Sequence, residues 1–328
     1  MKLGTLVPHF GEFASRDSIV RLATKAEDLG YRSLWVRDHL IWSPHGMEGH
    51  NKTFLDPFIT MAAMAAVTTK CTMGTGVVIP IRWPLKVAQE FANLSFLNNG
   101  KISAGVGLGS NPAEFAGAGL DVERREEILQ ETLEVCRQAW TQGWVEHHGD
   151  VFNIERTDLL PMPEEHIPII YGGNTPASVR RAVDYKTDGW YPARLPMSTL
   201  VSRLQYLKDY MGDNPRDMYT IIQPLVVIGK TREEAEKLVP IAEVATSSTG
   251  SKFWVKPPSG SFDTVKDLSG LVVCGTAEDV AEQVTELADM GISEFVFDFR
   301  LQYDRYEYAL EEVGEKVFPL LNYKPDQN

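Results

Sequence analysis

The feature that most restricts how this chain can fold is a repeated alternation of short apolar stretches with longer amphipathic ones. Stretch 33–36 has the length of a buried strand, whereas 15–29 carries an apolar stripe at helical spacing. About eight such pairs follow one another in the 328 residues. Such alternation predicts a parallel sheet, and for this length we predict one α/β domain, a (β/α)8 TIM barrel over residues 1–328. The strands are predicted at 3–8, 33–36, 72–78, 102–106, 168–171, 189–191, 219–228 and 294–299.

A doubly wound sheet is the alternative arrangement of the same elements. It would carry a glycine-rich nucleotide fingerprint after its first strand, where this chain has Pro8-His9-Phe10-Gly11. Later, residues 246–269 interrupt the alternation and are rich in Ser, Gly and Pro. We therefore predict a barrel with an insertion before its last strand, and long loops of this kind are often lids.

Composition excludes several classes of partner. The net charge of -13 argues against nucleic acid and anionic membranes, and the longest apolar stretch, 59–67, is too short to span a bilayer. The 3 cysteines lack CxxC spacing and the N-terminus lacks a signal-peptide core, so we expect reduced thiols in a cytoplasmic protein. The 7 histidines lack His-x-His and His-Glu-x-x-His spacing, so we expect no metal site.

The segment 101–115 has the composition of a strand that ends beside a ligand. Three glycines at alternate positions allow close backbone approach, and Ser110-Asn111-Pro112 is typical of a helix start. In a barrel, this strand end belongs to the face that carries the active site. Gly109, Ser110 and Asn111 are therefore candidate cofactor contacts, and an ordinary tight turn is the alternative interpretation.

The best candidate for an anion site is Gly172-Gly173-Asn174-Thr175-Pro176, which follows the fifth predicted strand. Two glycines free the backbone, Thr175 can cap the next helix, and Pro176 suits its first position. Amides and the helix dipole attract negative charge at such a place. We predict that Gly172, Gly173, Asn174 and Thr175 bind a phosphate, and an ordinary capped turn is the alternative.

Two further strand ends carry candidate chemistry. Asp38 and His39 follow the second strand, and histidine is the side chain best suited to move a proton near neutral pH. Gly76, near the end of the third strand, predicts a bulge or a ligand resting on the backbone. The alternatives are a structural cap for the Asp-His pair and a plain kink at Gly76.

Other polar and aromatic residues follow strands or lie in the insertion. Together they would suit an aromatic, partly anionic ligand. The candidates for substrate contacts are His9, Trp42, Trp83, Arg194, Phe253 and Trp254.

Several motifs, taken in order, resemble those of the luciferase-like monooxygenase superfamily of flavin- and deazaflavin-dependent (β/α)8 barrels. Their order and spacing cover nearly the whole chain. The motifs are Leu34-Trp-Val-Arg-Asp-His-Leu40, Asp56-Pro57, Leu97-Asn-Asn-Gly100, Gly105-Val-Gly-Leu-Gly-Ser-Asn-Pro-Ala-Glu-Phe115, Tyr171-Gly-Gly173, Asp188-Gly-Trp190 and Gly275-Thr276.

The resemblance implies a site that stacks a conjugated ring. Family members place a non-proline cis peptide behind that ring, and the matching step is Gly76-Val77. The cofactor phosphate would lie at Gly172, Gly173 and Thr175, with Ser110 and Asn111 nearby. The Asp38-His39 pair is similar to that of the subgroup using the deazaflavin F420, in which the histidine acts as acid, base or orienting group.

The implied activity is hydride transfer between F420 and a small organic substrate. Ser110 stands where many members of that subgroup have Glu, which argues against a sugar phosphate substrate. The alternative is a two-component monooxygenase that uses O2 and reduced FMN from a separate reductase. The family also implies a homodimer, with Met61, Met64 and Phe91 as candidate interface residues.

Two hypotheses from other classes stay open at this point. One is a cofactor-free barrel that isomerises or hydrolyses a phosphorylated metabolite, which needs only the predicted phosphate site. The other is a non-catalytic flavin-binding or assembly protein, in which His39 has no chemical role.

Overall fold

In the computed structural model, which describes residues 1–42, 47, 49–213, 217–246 and 251–323, eight parallel strands close into a barrel. The described strands are β1 (Lys2–Leu6), β2 (Ser33–Val36), β3 (Thr72–Thr75), β4 (Ile102–Val106), β5 (Trp144–His148), β6 (Asn153–Asp158), β7 (Ile169–Gly172), β8 (Gly189–Ala193), β9 (Tyr219–Ile222), β10 (Leu225–Ile228), β11 (Val272–Gly275) and β12 (Glu294–Phe297). The order around the barrel is β1-β12-β9-β8-β7-β4-β3-β2. The predicted (β/α)8 barrel is confirmed.

Helices on the outside of the barrel connect these strands. They are α1 (Leu22–Asp28), α2 (Pro57–Ala65), α3 (Pro84–Leu97), α4 (Pro112–Gly117), α5 (Arg125–Gln142), α6 (Pro176–Asp184), α7 (Met197–Met211), α8 (Arg232–Glu236), α9 (Ile241–Thr246), α10 (Ala277–Asp289), α11 (Tyr306–Glu312) and α12 (Phe318–Leu320). No helix in the described ranges is both long and apolar enough to cross a bilayer.

Side-chain caps mark several of the helix starts. Asp56 accepts hydrogen bonds from the amides of Phe58 and Ile59 at the start of α2, and Thr276 forms a capping box with Asp279 at the start of α10. These bonds satisfy amides that have no partner within the helix. The polar residues that follow the strands therefore also fix where each helix begins.

The seventh predicted strand, 219–228, is two strands rather than one. Pro224 lies between β9 and β10 and lacks the amide hydrogen that a continuous ladder needs. Only β9 belongs to the barrel, while β10 pairs in parallel with β11 in a separate two-stranded sheet. β11 (Val272–Gly275) was not predicted from the sequence.

The described part of the predicted insertion packs on α7. Arg203 donates to the carbonyl of Phe253 at 2.9 Å, and the amide of Val255 donates to the Thr199 hydroxyl at 2.8 Å. Residues 247–250 of the insertion lie outside the described ranges. A lid role for 246–269 stays a prediction.

The three candidate interface residues are core residues in this chain. Met61, Met64 and Phe91 have no exposed surface, so they pack on the barrel and offer no apolar face to a partner. The large apolar side chains that α2 and α3 expose are instead Ile59, Phe96 and Leu97, which are 74%, 70% and 56% exposed. A homodimer stays a prediction, but the candidate residues for it were wrong.

Strands β3 and β4 approach each other most closely at Gly105. The Thr75 hydroxyl donates to the Gly105 carbonyl at 2.7 Å. A Cβ atom on Gly105 would lie 1.7 Å from the Thr75 carbonyl oxygen. Only glycine fits this part of the barrel wall, which carries the strand ends where the site was predicted.

His9 is fully buried at the end of β1. Its Nδ1–H donates to the Val7 carbonyl at 2.9 Å, and its Nε2 accepts from the Arg37 amide at 3.0 Å. Burial, with a smaller contribution from the Arg37 and Arg300 cations, lowers the pKa of His9 to about 4. The ring is therefore a neutral core group at pH 7.

Gly105→Ala should destabilise the barrel, because the new methyl group would force β3 and β4 apart. Overpacking of this kind costs about 1–3 kcal/mol, and this contact is with backbone. Urea unfolding followed by circular dichroism measures the change. Gly117→Ala, on the exposed side of α4, is the matched control and should be neutral or stabilising. Equal midpoints for Gly105→Ala and wild type would contradict the packing argument.

His9 should make the fold less stable in mild acid. Its pKa of about 4 in the folded chain lies below the value of about 6.5 expected after unfolding. The unfolded state therefore binds more protons between these values, and stability falls as pH falls through this window. Between pH 7 and 5 the contribution is about 2 kcal/mol.

Urea unfolding of wild type and His9→Gln at pH 7 and pH 5 tests this expectation. The variant should lose about 2 kcal/mol less than wild type over this interval. His50→Gln, at an exposed position, should lose as much unfolding free energy between pH 7 and pH 5 as wild type does. An equal loss in His9→Gln and wild type would show that His9 does not titrate as its burial requires.

Candidate functional site

A cavity of about 350 Å³ opens at the carboxyl ends of β2, β3, β4, β7 and β8. Its volume lies in the range of small-molecule sites. Residues from four separate predicted motifs meet there. The predicted site residues that line it are Asp38, His39, Gly76, Val77, Gly109, Ser110, Gly172, Gly173, Asn174 and Thr175.

One wall of the cavity is backbone with little side chain. The Gly76-Val77 peptide is cis, as the resemblance implies. A Cβ on Gly107 would lie 2.6 Å from one methyl group of Val77, and a Cβ on Gly172 would lie 2.5 Å from the other. A Cβ on Gly76 would lie 2.5 Å from the Tyr191 ring. The glycines therefore leave the space that the Val77 and Tyr191 side chains occupy against the backbone.

The β7–α6 turn forms the polar end of the cavity. Gly173 has φ of +148°, and its carbonyl accepts a bond from the Trp190 indole at 2.9 Å. Thr175 caps α6 by accepting from the Ser178 amide at 3.2 Å. This is the arrangement in which a helix N-terminus can hold an anion.

Asp38 is buried and its carboxylate is occupied by protein groups. Arg82 donates to both oxygens, at 2.8 Å between Nη2 and Oδ1 and more closely between Nη1 and Oδ2. The Ile79 amide donates to Oδ2 at 3.1 Å. Asp38 lines the cavity, and its bonds to Ile79 and Arg82 connect the end of β2 to the segment that follows β3.

His39 lies between a carboxylate and a guanidinium. Its Nδ1 is 3.2 Å from Oε1 of Glu114, and its Nε2 is 3.4 Å from Nη2 of Arg37. The imidazole is 23% exposed, whereas the Glu114 side chain is 2% exposed. His39 is therefore partly open to the cavity and held from both sides.

Sequence reasoning missed the role of Glu114. Its Oε1 also accepts from the Leu40 and Ile41 amides, at 2.8 Å and 3.3 Å. Burial alone would raise the pKa of Glu114, but the His39 imidazole and the two amides outweigh it and hold that pKa below its usual range. An acidic residue in the first turn of a helix looks like a dipole partner, so only the contact with His39 identifies it.

The remaining predicted residues do not line this cavity. His9 is buried in the core, and Trp42 is buried with its ring 5.0 Å from that of His39. Trp83 is 50% exposed beside Phe152. Asn111 caps α4 through a bond from the Ala113 amide. Arg194 lies 4.0 Å from Asp298, and Phe253 and Trp254 belong to the segment packed on α7.

Comparison with known proteins gives relatives of two kinds. The F420-dependent hydroxymycolic acid dehydrogenase of Mycobacterium tuberculosis is 33% identical over 193 residues, which cover 57% of this chain and 51% of that protein. An F420-dependent secondary alcohol dehydrogenase superposes with a TM-score of 0.78 at 21% identity, over 98% of both chains. The oxygenating constituent of 3,6-diketocamphane monooxygenase from Pseudomonas putida, in complex with FMN, superposes with a TM-score of 0.76 at 16% identity, over 98% of both chains.

The family assignment comes from the sequence itself. The model of the luciferase-like monooxygenase family matches residues 1–294. The matched range contains every residue that lines the cavity and all eight barrel strands except the last residues of β12. This chain belongs to the luciferase-like monooxygenase family.

Proposed function

We propose that this protein is an oxidoreductase that uses the deazaflavin F420 for hydride transfer with a small organic substrate. The observation that carries the proposal is the meeting of three parts in one cavity. These are the glycine-lined wall at Gly76-Val77, the capped turn at Gly172–Thr175, and the His39 imidazole held by Glu114.

The residues present fit a cofactor with a planar ring and an anionic tail. At this wall glycine stands at Gly76, Gly107 and Gly172, where a Cβ would strike Val77 or Tyr191. The ring would rest on Gly76-Val77, and the phosphate would meet the α6 start at Gly172, Gly173, Asn174 and Thr175. Gly109 and Ser110, which border the same cavity, would contact the cofactor between these points.

The cofactor, when bound, supplies the redox chemistry, and the protein supplies position and electrostatics. His39 is the cavity group suited to exchange a proton with the substrate. Trp42 packs against His39 and, with Phe54 at 5.2 Å from the imidazole, shields one side of it from water. Such shielding strengthens the interactions of the proton-transfer site.

The relatives support F420 as the first choice. Two F420-dependent dehydrogenases are more than 30% identical to this chain over about half its length. The FMN-dependent neighbour supports only the shared fold. A two-component monooxygenase with reduced FMN is therefore the second candidate, and direct binding separates the two.

Titration of the purified protein with F420 and, separately, with FMN should distinguish these candidates. We expect saturable F420 binding, seen as a change in cofactor fluorescence, and FMN binding at least about tenfold weaker, which is a difference of about 1.4 kcal/mol. Tight FMN binding without F420 binding would overturn the preference for F420. Absence of binding by both would favour a cofactor-free phosphometabolite barrel.

Gly172→Ala should weaken cofactor binding by about tenfold or more, or about 1.4 kcal/mol. The new methyl group would lie 2.5 Å from Val77 and push that side chain into the space of the ring. Gly117→Ala, which adds a methyl group outside the cavity, is the matched control and should bind as wild type does. Unchanged affinity in Gly172→Ala would argue against a ring resting on this wall.

A further inference from the structure

The two neighbours of His39 have opposite hydrogen-bonding capacities. An ionised carboxylate only accepts, and a guanidinium only donates. Glu114 faces Nδ1 at 3.2 Å, and Arg37 faces Nε2 at 3.4 Å. A neutral imidazole has one N–H and one lone pair, so only one tautomer satisfies both neighbours. That tautomer carries its proton on Nδ1.

We infer that Glu114 and Arg37 are positioning residues that hold neutral His39 in its Nδ1–H tautomer, so that Nε2 is the atom that accepts a proton from the substrate. The inference deepens the proposed function, on which its catalytic part rests. It assigns His39 the role of a base toward a substrate that loses a proton, such as an alcohol that is oxidised.

The proton balance of that step follows from the assignment. The substrate O–H bond breaks, the bond from Arg37 to Nε2 is given up, and the proton moves to Nε2. The product is an imidazolium with protons on both nitrogens. An oxidised cofactor, when bound, would take the hydride that the substrate carbon loses as the C=O bond forms. The Nδ1–H bond to Glu114 is kept, and the carboxylate stabilises the positive charge that develops on the ring.

The Glu114 carboxylate is itself fixed by the main chain. The Leu40 and Ile41 amides both donate to Oε1, so the side chain cannot turn away from the segment that carries His39. These two residues directly follow His39 in the chain. Glu114 therefore fixes the imidazole relative to its own backbone, and a rotation of the ring would break a bond to a buried charge.

The same amides make Glu114→Gln an informative variant. Glutamine keeps both backbone bonds only when its carbonyl oxygen takes the place of Oε1, and those two bonds use both lone pairs of that oxygen. Its NH2 group then takes the place of Oε2, which is 3.4 Å from Nδ1 of His39. A donor now faces each ring nitrogen, because Arg37 still donates toward Nε2. Neither neutral tautomer then satisfies both neighbours, so the preference for the Nδ1–H tautomer should be lost.

The direct test is 15N NMR of histidine-labelled protein without cofactor, at a pH where the imidazoles are neutral. His39→Gln identifies the His39 signals. Wild type should show a protonated Nδ1 and an unprotonated Nε2, and Glu114→Gln should show a mixture in which the Nε2–H form has increased. The wild-type spectrum tests the inference even if a variant fails to fold.

Glu131→Gln is the matched control. Glu131 is another carboxylate that accepts from a histidine, His147, at 3.0 Å, and from the Phe152 and Val151 amides. It does not line the cavity. The control should alter the His147 signals and leave those of His39 unchanged, which separates tautomer control from a general loss of stability.

A kinetic readout completes the experiment once a substrate is known. Glu114→Gln should lower kcat for oxidation by about 100-fold or more, with little change in KM, because proton transfer and not binding is impaired. A protonated Nε2 in wild type, or an unchanged tautomer in a folded Glu114→Gln, would overturn the inference. Failure of both cofactors to bind would overturn the proposed function instead and leave the NMR result standing.

Discussion

An ion pair between buried Asp38 and partly buried Arg82 connects two of the strand ends that form the cavity, those of β2 and β3. The Asp38 side chain has no exposed surface, and an isolated carboxylate in such a place would be strongly unfavourable. Both Nη atoms of Arg82 bind it, and the Ile79 amide supplies a third bond. Arg82 also reaches Asp56 at 3.1 Å. The ends of β2 and β3 and the start of α2 are thereby held together.

The consequences for the site follow from where these groups lie in the chain. Asp38 directly precedes His39, and Ile79 follows the Gly76-Val77 peptide by two residues. The ion pair therefore connects the segment that carries His39 to the segment that carries the Gly76-Val77 peptide. Burial opposes the charge on Arg82, but its bonds to Asp38 raise the pKa of Arg82 and keep the guanidinium cationic.

Features of the fold and the site that depend on neighbouring residues could be predicted from the sequence, whereas contacts between residues far apart in the chain could not. The barrel, the glycine-rich strand end and the capped turn at Gly172–Thr175 are local patterns, and local patterns predicted them correctly. The division of the seventh predicted strand at Pro224 is also a local feature. Apolar residues on both sides of Pro224 made the segment resemble one continuous strand. The pairs Asp38–Arg82 and His39–Glu114 join residues 44 and 75 positions apart, and no periodicity indicates such a pair.

Aromatic residues were predicted less well than glycines for a physical reason. A glycine in a strand end has few structural roles, so its position is informative. A tryptophan is equally stable in a core, on a surface or in a site, and its role depends on packing. Trp42 packs on His39, whereas Trp83 is half exposed beside Phe152, although both follow barrel strands in the same way.

Gly107 and Gly172, which surround Val77, affect both the packing of the barrel and the shape of the cavity. Val77 lies where β4 and β7 end, and a Cβ on Gly107 or Gly172 would meet its methyl groups. The packing that closes this part of the barrel is therefore also the surface offered to a ligand. Glycine stands there because three strand ends converge on one side chain. A larger residue at Gly107 or Gly172 would displace the Val77 side chain. That side chain can move only into the cavity or into neighbouring atoms of the barrel.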